Sequence, residues 1–257
     1  MTAQSKDRDL WIRRYHAAED SDIRLLCLPH AGGSASFYFP VSEALAPRVE
    51  VLAVQYPGRQ DRRLEPCVET LPELADRLLP LLMDGWTDKP LALFGHSMGA
   101  SLAFELAGLL EQRAGVVPLM LFASGRRAPS RFREEDDVHR RGDEALLAEI
   151  KRLAGTDSRI LGDDEVLRMV LPAIRSDYRA AELYRPERVH RLRCPVTALV
   201  GDRDPKAPLD DVRAWREHTG STFEMEVYPG GHFYLTDQAP RVIRRIEDAL
   251  TGAAADH

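Results

Sequence analysis

Short apolar segments alternate with longer stretches of helical spacing along the chain. The apolar segments are rich in β-branched and aliphatic residues and lie at Ile23–Leu28, Val49–Gln55, Leu91–Phe94, Leu119–Ala123, Val196–Val200 and Phe223–Tyr228. Leucines three and four residues apart mark the stretches between them, as in the region that follows Thr70. Strands alternating with helices predict an α/β fold with a mostly parallel sheet and helices on both faces. The near-continuous apolar character of the strands indicates that both faces of the sheet are buried.

The alternation is interrupted once, between Ala123 and Val196, where no convincing strand occurs. This gap is too long for a structureless loop in a compact domain. Helical spacing predicts three helices within it, at Asp143–Leu153, at Asp164–Leu171 with an end at Pro172, and at Ala173–Tyr184. We therefore interpret residues 125–193 as a helical lid inserted into a core formed by residues 1–124 and 194–257. A helical decoration with only a packing role is the alternative.

Composition excludes several classes of protein. The chain has 257 residues, 44% of them apolar and 30% charged, which is typical of a globular protein. Apolar stretches stop far short of the ~20 residues of a membrane helix, and the N-terminus lacks the apolar segment of a secretory signal. Three widely spaced cysteines argue against a disulfide framework or a zinc cage and favour a cytoplasmic location. The net charge of −6 argues against nucleic-acid binding.

The segment Gly95-His96-Ser97-Met98-Gly99 matches the G-x-S-x-G turn that exposes a nucleophilic serine between a strand and a helix. It follows the apolar strand Leu91–Phe94 and opens the helical stretch Ala100–Leu110, which is the context the motif requires. The sequence therefore predicts Ser97 as a nucleophile. The alternative is a glycine-rich turn with a surface serine.

A serine hydroxyl needs a base to take its proton. His232 follows two glycines just past the last predicted strand, so its ring is expected in the crevice at the carboxyl ends of the strands. Asp202 and Asp204 both follow the preceding strand and are both candidates for the acid that orients the histidine. Asp204 is favoured because Pro205 fixes the chain direction after it, whereas Asp202 is expected to brace the turn. The order serine, acid, histidine is that of α/β-hydrolases.

The loop 29–34, Pro-His-Ala-Gly-Gly-Ser, follows the first long strand. In this fold an oxyanion hole is built from the N–H after the nucleophile and an N–H from such a loop. We assign the two donors to the backbone of Met98 and Ala31, the alternative for the loop being a plain turn. Aromatic residues flank the two site loops, and Phe37 and Phe233 are candidates for an acyl channel or, equally, for simple core residues.

Arginine outnumbers lysine 31 to 4, so any cationic patch is a guanidinium patch suited to phosphate or carboxylate. Two groups stand near the predicted mouth of the site, Arg59, Arg62 and Arg63 in the first, and Arg126, Arg127, Arg131 and Arg133 in the second. A docking patch for an anionic partner or phosphate is one interpretation, with Arg59, Arg63 and Arg126 as its candidates. A solvated surface is the other. No P-loop, H-E-x-x-H or cysteine pair of metal spacing occurs, so no metal or cofactor is expected.

Seven segments taken together resemble a known family. They are 29–35 (PHAGGSA), 55–59 (QYPGR), 94–100 (FGHSMGA), 123–129 (ASGRRAP), 171–178 (LPAIRSDY), 201–205 (GDRDP) and 230–235 (GGHFYL). They look like the type II thioesterases, stand-alone enzymes that accompany modular polyketide synthases and nonribosomal peptide synthetases.

The resemblance implies an α/β-hydrolase fold with a mobile helical lid, and an editing activity that removes aberrant or stalled acyl groups from the phosphopantetheine arm of carrier proteins. The family's triad falls on Ser97, Asp204 and His232, and its oxyanion donors on Ala31 and Met98. The expected partner is an acyl or peptidyl carrier protein, with no nucleic acid and no membrane, and the chain is expected to be a monomer. The main alternative is a general carboxylesterase or lipase; a chain-releasing thioesterase and a non-catalytic binding module are the others.

Overall fold

A seven-stranded sheet runs through the computed structural model, which describes residues 8–132, 137–154, 164–186 and 191–255. The strands are β1 (Ile12–Arg13), β2 (Arg24–Leu28), β3 (Glu50–Val54), β4 (Leu91–His96), β5 (Leu121–Ser124), β6 (Val196–Gly201) and β7 (Phe223–Tyr228). Their order across the sheet is β1-β3-β2-β4-β5-β6-β7. Only β1 is antiparallel to its neighbour, so the mostly parallel sheet predicted from the sequence is confirmed.

A helical segment at residues 8–11 precedes eight numbered helices in the described part of the chain. They are α1 (Phe39–Leu45), α2 (Leu71–Met83), α3 (Met98–Arg113), α4 (Asp143–Ala154), α5 (Asp164–Leu183), α6 (Leu209–Arg213), α7 (Tyr234–Asp237) and α8 (Ala239–Ala255). Short 3-10 turns lie at Ala35–Tyr38, Gln60–Arg62, Val138–Arg140 and Ala214–His218. The start of α2 shows why the chain turns helical there, since the Thr70 side chain accepts the N–H of Glu73 at 3.3 Å and Pro72 occupies the first turn.

The alternation of side chains along each strand divides the core between the two faces of the sheet. On β2, Leu26 and Leu28 join the cluster beneath α2 and α3, while Leu25 and Cys27 join the cluster beneath α1 and α8. All four side chains have no solvent exposure. Each fully buried leucine contributes about 1.5–3 kcal/mol, so this double-sided burial fixes the sheet that carries the site.

The carboxyl ends of the parallel strands meet at one edge of the sheet. In the register, Leu28 lies opposite Gly95, His96 opposite Ser124, and Gly201 next to Tyr228. The loops that leave β2, β4, β5, β6 and β7 therefore start side by side. These loops contain every candidate triad and oxyanion residue predicted from the sequence.

Between β5 and β6 the described residues form helices and turns and no strand. The helix predicted at Asp143–Leu153 is present as α4. The predicted break at Pro172 is wrong, because α5 continues through that proline as one helix. An internal proline costs a helix roughly 3 kcal/mol. Burial of the flanking Leu171, Ile174 and Tyr178 in a cluster with α4 offsets that cost.

Candidate active site

Ser97 lies on a tight turn between β4 and α3. Its backbone has φ 55° and ψ −116°, a strained conformation for a residue with a side chain. Two close approaches explain the flanking glycines. A Cβ on Gly95 would lie 2.0 Å from the carbonyl oxygen of Gly99, and a Cβ on Gly99 would lie 2.0 Å from that of Leu28. The turn thus places Ser97 at the start of α3, where the helix presents its free N–H groups.

The structure brings Ser97, His232 and Asp204 together from three different loops. Nε2 of His232 is 2.9 Å from Oγ of Ser97, and its Nδ1 is 2.9 and 3.0 Å from the two carboxylate oxygens of Asp204. The histidine and aspartate side chains are buried, with 2% and 0% exposure. The Nδ1 proton donated to Asp204 leaves the Nε2 lone pair facing the serine hydroxyl.

The other acid candidate takes a different position. Oδ1 of Asp202 accepts the N–H of Gly230 at 2.8 Å, and its side chain is 49% exposed. Asp202 therefore holds the turn that precedes His232 without contacting the imidazole. Its place agrees with the bracing role expected from the sequence.

Two more histidines surround the His232 ring. The ring centroid of His96 lies 5.0 Å from that of His232, and the ring of His30 lies 5.9 Å from that of His96. Burial, with smaller contributions from the charges of His232 and Arg59, lowers the pKa of His30 to about 3. Burial, followed by His232 and His30, also holds the pKa of His96 well below its usual value. Both neighbours therefore stay neutral when His232 takes up a proton.

Sequence reasoning gave no role to a hydrogen-bonded chain behind His96. Its Nδ1 is 2.9 Å from Oγ of Ser124, which is in turn 2.7 Å from the hydroxyl of Tyr234. All three side chains are buried. Ser124 closes β5 and Tyr234 follows shortly after His232, so their positions at strand ends were the only sequence signal. The chain fixes the imidazole that packs against His232.

The two predicted oxyanion donors lie at the same edge of the sheet. Met98 is the first residue of α3 and is fully buried. Ala31 belongs to the loop 29–34, called the oxyanion loop below. Its neighbour Gly33 donates its N–H to the carbonyl of His30 at 2.9 Å, which closes a turn around Ala31. The assignment of Ala31 and Met98 as donors stays a prediction.

The two candidate channel aromatics both pack against His30. The rings of Phe37 and Phe233 each approach the His30 ring edge-on, with centroids 4.8 Å apart. Phe233 also lies 5.2 Å from the ring of His232. Both side chains are partly buried and belong to the margin of the core. Their part in an acyl channel stays a prediction.

The first of the two arginine groups does not form a surface patch, because most of its side chains are buried. Arg59, a candidate for docking, is buried and makes an ion pair with Asp177, so its assignment as a docking residue is wrong. The loop after β3 places the Arg59 side chain inside the protein, where the carboxylate of Asp177 on α5 neutralises its charge. Arg62 is also buried, stacked over the Trp11 ring at 4.4 Å. Arg63 alone of this first group is exposed.

The second arginine group connects the segment predicted as a lid to the core. Arg126 is half-buried and donates to Oγ of Ser101 and to the carbonyl of Ala181, both at 3.0 Å. Arg127 is buried, and Arg131 pairs with Glu217. These contacts join the start of residues 125–193 to the core. Arg133 lies outside the described residues.

A further contact joins α4 to the loop that contains Asp204. Nζ of Lys206, two residues beyond Asp204, is 2.7 Å from Oε1 of Glu149 on α4. Burial raises the pKa of Glu149, but hydrogen bonds from Arg152 and Lys206 outweigh it and lower that pKa to about 2. The carboxylate therefore stays charged at neutral pH and holds α4 against the loop of Asp204.

The described residues contain neither a metal-binding cluster nor a helix suited to span a membrane. No group of three histidine, cysteine, aspartate or glutamate side chains there is arranged to hold a metal ion. No helix within those ranges has the length and apolar character needed to cross a membrane.

Comparison with known proteins places the chain in one family. The model of the thioesterase domain family matches residues 23–250. Thioesterase PikA5 of Streptomyces venezuelae is 57% identical over 244 residues, which are 95% of this chain and 86% of that protein.

Solved structures of type II thioesterases are similar to this chain over nearly its whole length. BorB, from the borrelidin biosynthetic cluster, has a TM-score of 0.89 at 52% identity, covering 94% of this chain and 98% of that one. YbtT, from the yersiniabactin NRPS/PKS biosynthetic pathway, has a TM-score of 0.82 at 32% identity, covering 95% and 99%. The chain therefore belongs to the thioesterase family: it is a type II thioesterase with the α/β-hydrolase fold, and a thioester hydrolase.

Proposed function

We propose that the protein removes acyl groups from the phosphopantetheine arm of acyl or peptidyl carrier proteins through an acyl-enzyme on Ser97. The observation that carries this proposal is the continuous hydrogen-bonded chain from Ser97 through His232 to Asp204 in a member of the thioesterase family. The acyl groups concerned are aberrant or stalled ones, and their removal returns a free thiol to the carrier. The pathways named for BorB and YbtT support this class of substrate.

Acylation begins with Ser97. Its Oγ attacks the thioester carbon while Nε2 of His232 takes the hydroxyl proton over the 2.9 Å hydrogen bond. The carbonyl oxygen becomes an oxyanion that accepts the N–H groups of Met98 and Ala31. The carbon–sulfur bond then breaks, and the departing sulfur takes the proton from His232. The acyl group remains on Ser97 as an oxygen ester.

Deacylation repeats the same proton path with water. His232 takes a proton from the water as its oxygen attacks the ester carbon, and the two N–H groups again bind the oxyanion. Collapse of this intermediate returns the proton to Oγ of Ser97 and releases a carboxylic acid. The sum of the two halves is one thioester and one water converted to one acid and one thiol.

Among the three histidine rings at the site, only His232 has a carboxylate facing it. The buried carboxylate of Asp204 faces its Nδ1 at 2.9 and 3.0 Å and stabilises the imidazolium. His30 and His96 stay neutral because burial lowers their pKa values, so no second positive charge opposes the first. The charge that develops during the reaction is thus confined to one acid–base group.

The proposed docking surface is smaller than the sequence suggested. With Arg59 and Arg62 buried, its first group reduces to Arg63, next to Leu64, which is 90% exposed. Both residues lie on the loop after β3, at the edge of the sheet that carries Ser97. An exposed guanidinium beside an exposed apolar side chain suits an anionic protein with an apolar spot. Arg126, half-buried at the start of the lid, is the second candidate.

Three substrates with the same acyl group test the proposal. They are the acyl chain on the phosphopantetheine of a holo carrier protein, on free pantetheine, and as a simple oxygen ester. We expect kcat/KM to be highest for the carrier-bound thioester, because only the carrier engages the docking surface. The oxygen ester should have the lowest kcat/KM of the three. Fast cleavage of the oxygen ester with slow cleavage of both thioesters would contradict the proposal and favour a general esterase.

A further inference from the structure

The oxyanion loop is held at its beginning and at its tip by groups from distant parts of the chain. At its beginning, the Tyr56 hydroxyl donates to the carbonyl of Pro29 at 3.2 Å. At its tip, the N–H of Gly32 is instead donated to Oδ2 of Asp177 at 2.7 Å. Asp177 belongs to α5, the long lid helix. The conformation of the tip therefore depends on a carboxylate that the lid supplies.

Arg59 completes this contact. Its guanidinium donates to both oxygens of Asp177, at 2.6 and 2.8 Å, and to the carbonyl of Gly33 at 3.0 Å. The two side chains are 6% and 2% exposed. A two-pronged arginine–carboxylate pair fixes direction as well as distance. We call Arg59, Asp177 and the two backbone groups they bind, Gly32 N–H and Gly33 C=O, the loop clamp.

The clamp sets the direction of the proposed oxyanion donor. The N–H of Ala31 shares a peptide plane with the carbonyl of His30, and in a trans peptide the two point in opposite directions. The His30 carbonyl accepts the N–H of Gly33 at 2.9 Å. Since Arg59 holds Gly33, the orientation of this peptide, and with it the Ala31 N–H, follows from the clamp.

Packing supports the same coupling. Gly32 has φ +77°, and a Cβ there would lie 2.9 Å from Cγ1 of Ile174, one turn before Asp177 on α5. Ala31 packs against the lid cluster that contains Ile174 and Tyr178. The lid helix therefore lies directly on the oxyanion loop, and only a glycine fits at the contact.

The charges of the clamp cancel. Asp177 binds Gly32, the residue after Ala31, so an unpaired carboxylate there would repel the developing oxyanion. Arg59 neutralises Asp177 through two hydrogen bonds. The carboxylate can then orient the loop without opposing the reaction. This explains why a buried arginine accompanies a buried aspartate at this point.

We propose that Asp177 is a positioning residue, and that docking of α5 on the oxyanion loop through the Asp177–Arg59 pair completes the oxyanion hole. The inference rests on the acyl-enzyme chemistry proposed above. In it the lid helix covers the site and also orients one of the two N–H donors of the oxyanion hole.

The test compares Asp177→Ala with the wild type on an acyl-pantetheine thioester. Displacement of one donor is expected to lower kcat about 10- to 100-fold. A trifluoromethyl ketone analogue, whose adduct with Ser97 carries an oxyanion, should bind more weakly by a similar factor. A thioether analogue, which has no carbonyl, should bind within about twofold of wild type. Asp177→Asn, which keeps an oxygen for Gly32, should recover part of the loss.

Arg179→Ala is the matched control, because Arg179 lies on the same helix and pairs at the surface with Glu69. All three readouts should stay within about twofold of wild type in this variant. Activities are expressed per competent molecule, counted by complete phosphonylation of Ser97. Lid-to-core contact in general is thereby separated from the clamp.

The double variant Arg59→Met/Asp177→Leu guards against simple unfolding. Replacing a buried ion pair by apolar side chains of similar size often leaves stability intact, while Gly32 and Gly33 still lose their partners. It should fold and show the same loss of kcat as Asp177→Ala. Wild-type kcat in either variant, or unchanged affinity for the trifluoromethyl ketone beside a lowered kcat, would overturn the proposal. A wild type that fails to cleave the thioester would instead refute the proposed function.

Discussion

Replacement of Asp204 by asparagine tests the proposed acid–base chain in the most demanding way. The side chain has no solvent exposure, and both of its oxygens face Nδ1 of His232 within 3.0 Å. In the variant the amide group can donate to Nδ1. The ring proton then moves to Nε2, which can no longer accept the proton of Ser97.

The structure allows the size of the effect to be estimated. Opposite charges about 4 Å apart attract by about 4 kcal/mol at an effective dielectric constant near 20. The wrong tautomer adds to this loss, and the same replacement in a serine protease lowers kcat about 10⁴-fold, which corresponds to about 5.4 kcal/mol. We therefore expect Asp204→Asn to lower kcat by 10³- to 10⁴-fold, a range set by these two estimates (~4 to ~5.4 kcal/mol).

The assay is steady-state hydrolysis of an acyl-pantetheine thioester at pH 7.5, followed by thiol release. Asp202→Asn is the matched control, because asparagine keeps the Oδ1 that accepts the N–H of Gly230. Its kcat should stay within tenfold of wild type. A larger loss in Asp202→Asn than in Asp204→Asn would refute the assignment of the acid, and a loss below tenfold in Asp204→Asn would refute the proposed role of the carboxylate.

Three further predictions concern the turn, the buried histidine and the docking surface. Gly99→Ala should lower the free energy of unfolding by about 1–3 kcal/mol or more, because its Cβ would lie 2.0 Å from the Leu28 carbonyl oxygen. Gly252→Ala is the control and should not destabilise the protein, because a Cβ there meets open space. Equal denaturation midpoints for the two variants would contradict this prediction. His96 stays neutral in the folded protein, while its unfolded form takes up a proton near pH 6.5. Its contribution to stability is therefore complete above pH 6.5 and decreases as the pH falls below 6.5. His96→Gln should make the urea-measured free energy of unfolding decrease less between pH 8 and pH 5 than in the wild type, and an equal decrease in both would contradict a neutral ring. Arg63→Glu should raise KM for a carrier-bound thioester about two- to fivefold and leave that for acyl-pantetheine unchanged, with Arg113→Glu, at the far end of α3, as the control; equal effects on both substrates would argue against docking at Arg63.

Local patterns explain why much of the fold could be predicted. The strands β2 to β6 are buried and mostly apolar, whereas apolar and polar residues alternate in β7. Each strand predicted from these patterns is present, with ends shifted by at most two residues. The antiparallel β1 was missed because two residues, Ile12 and Arg13, carry no alternation to detect. The helix end at Pro172 was mispredicted because the sequence shows the missing N–H and not the burial on either side of it.

The candidate site divides in the same way. Ser97, Asp204 and His232 each follow a strand end, and parallel topology gathers strand ends at one edge, so their meeting could be foreseen. The loop clamp could not, because Arg59 and Asp177 are 118 residues apart and belong to no shared motif. A sequence shows an arginine near the mouth of the site as a surface charge until its buried partner is known.

The most direct test of hydrolysis through an acyl-enzyme on Ser97 follows the acyl group itself. A holo carrier protein loaded with a propionyl group is incubated with wild type and with Ser97→Ala, and intact-protein mass spectrometry records the carrier. We expect loss of the acyl mass with wild type only, and a transient propionyl adduct on the wild-type enzyme. Equal loss with Ser97→Ala, or retention of the acyl group on several carriers beside rapid cleavage of an oxygen ester, would contradict this mechanism.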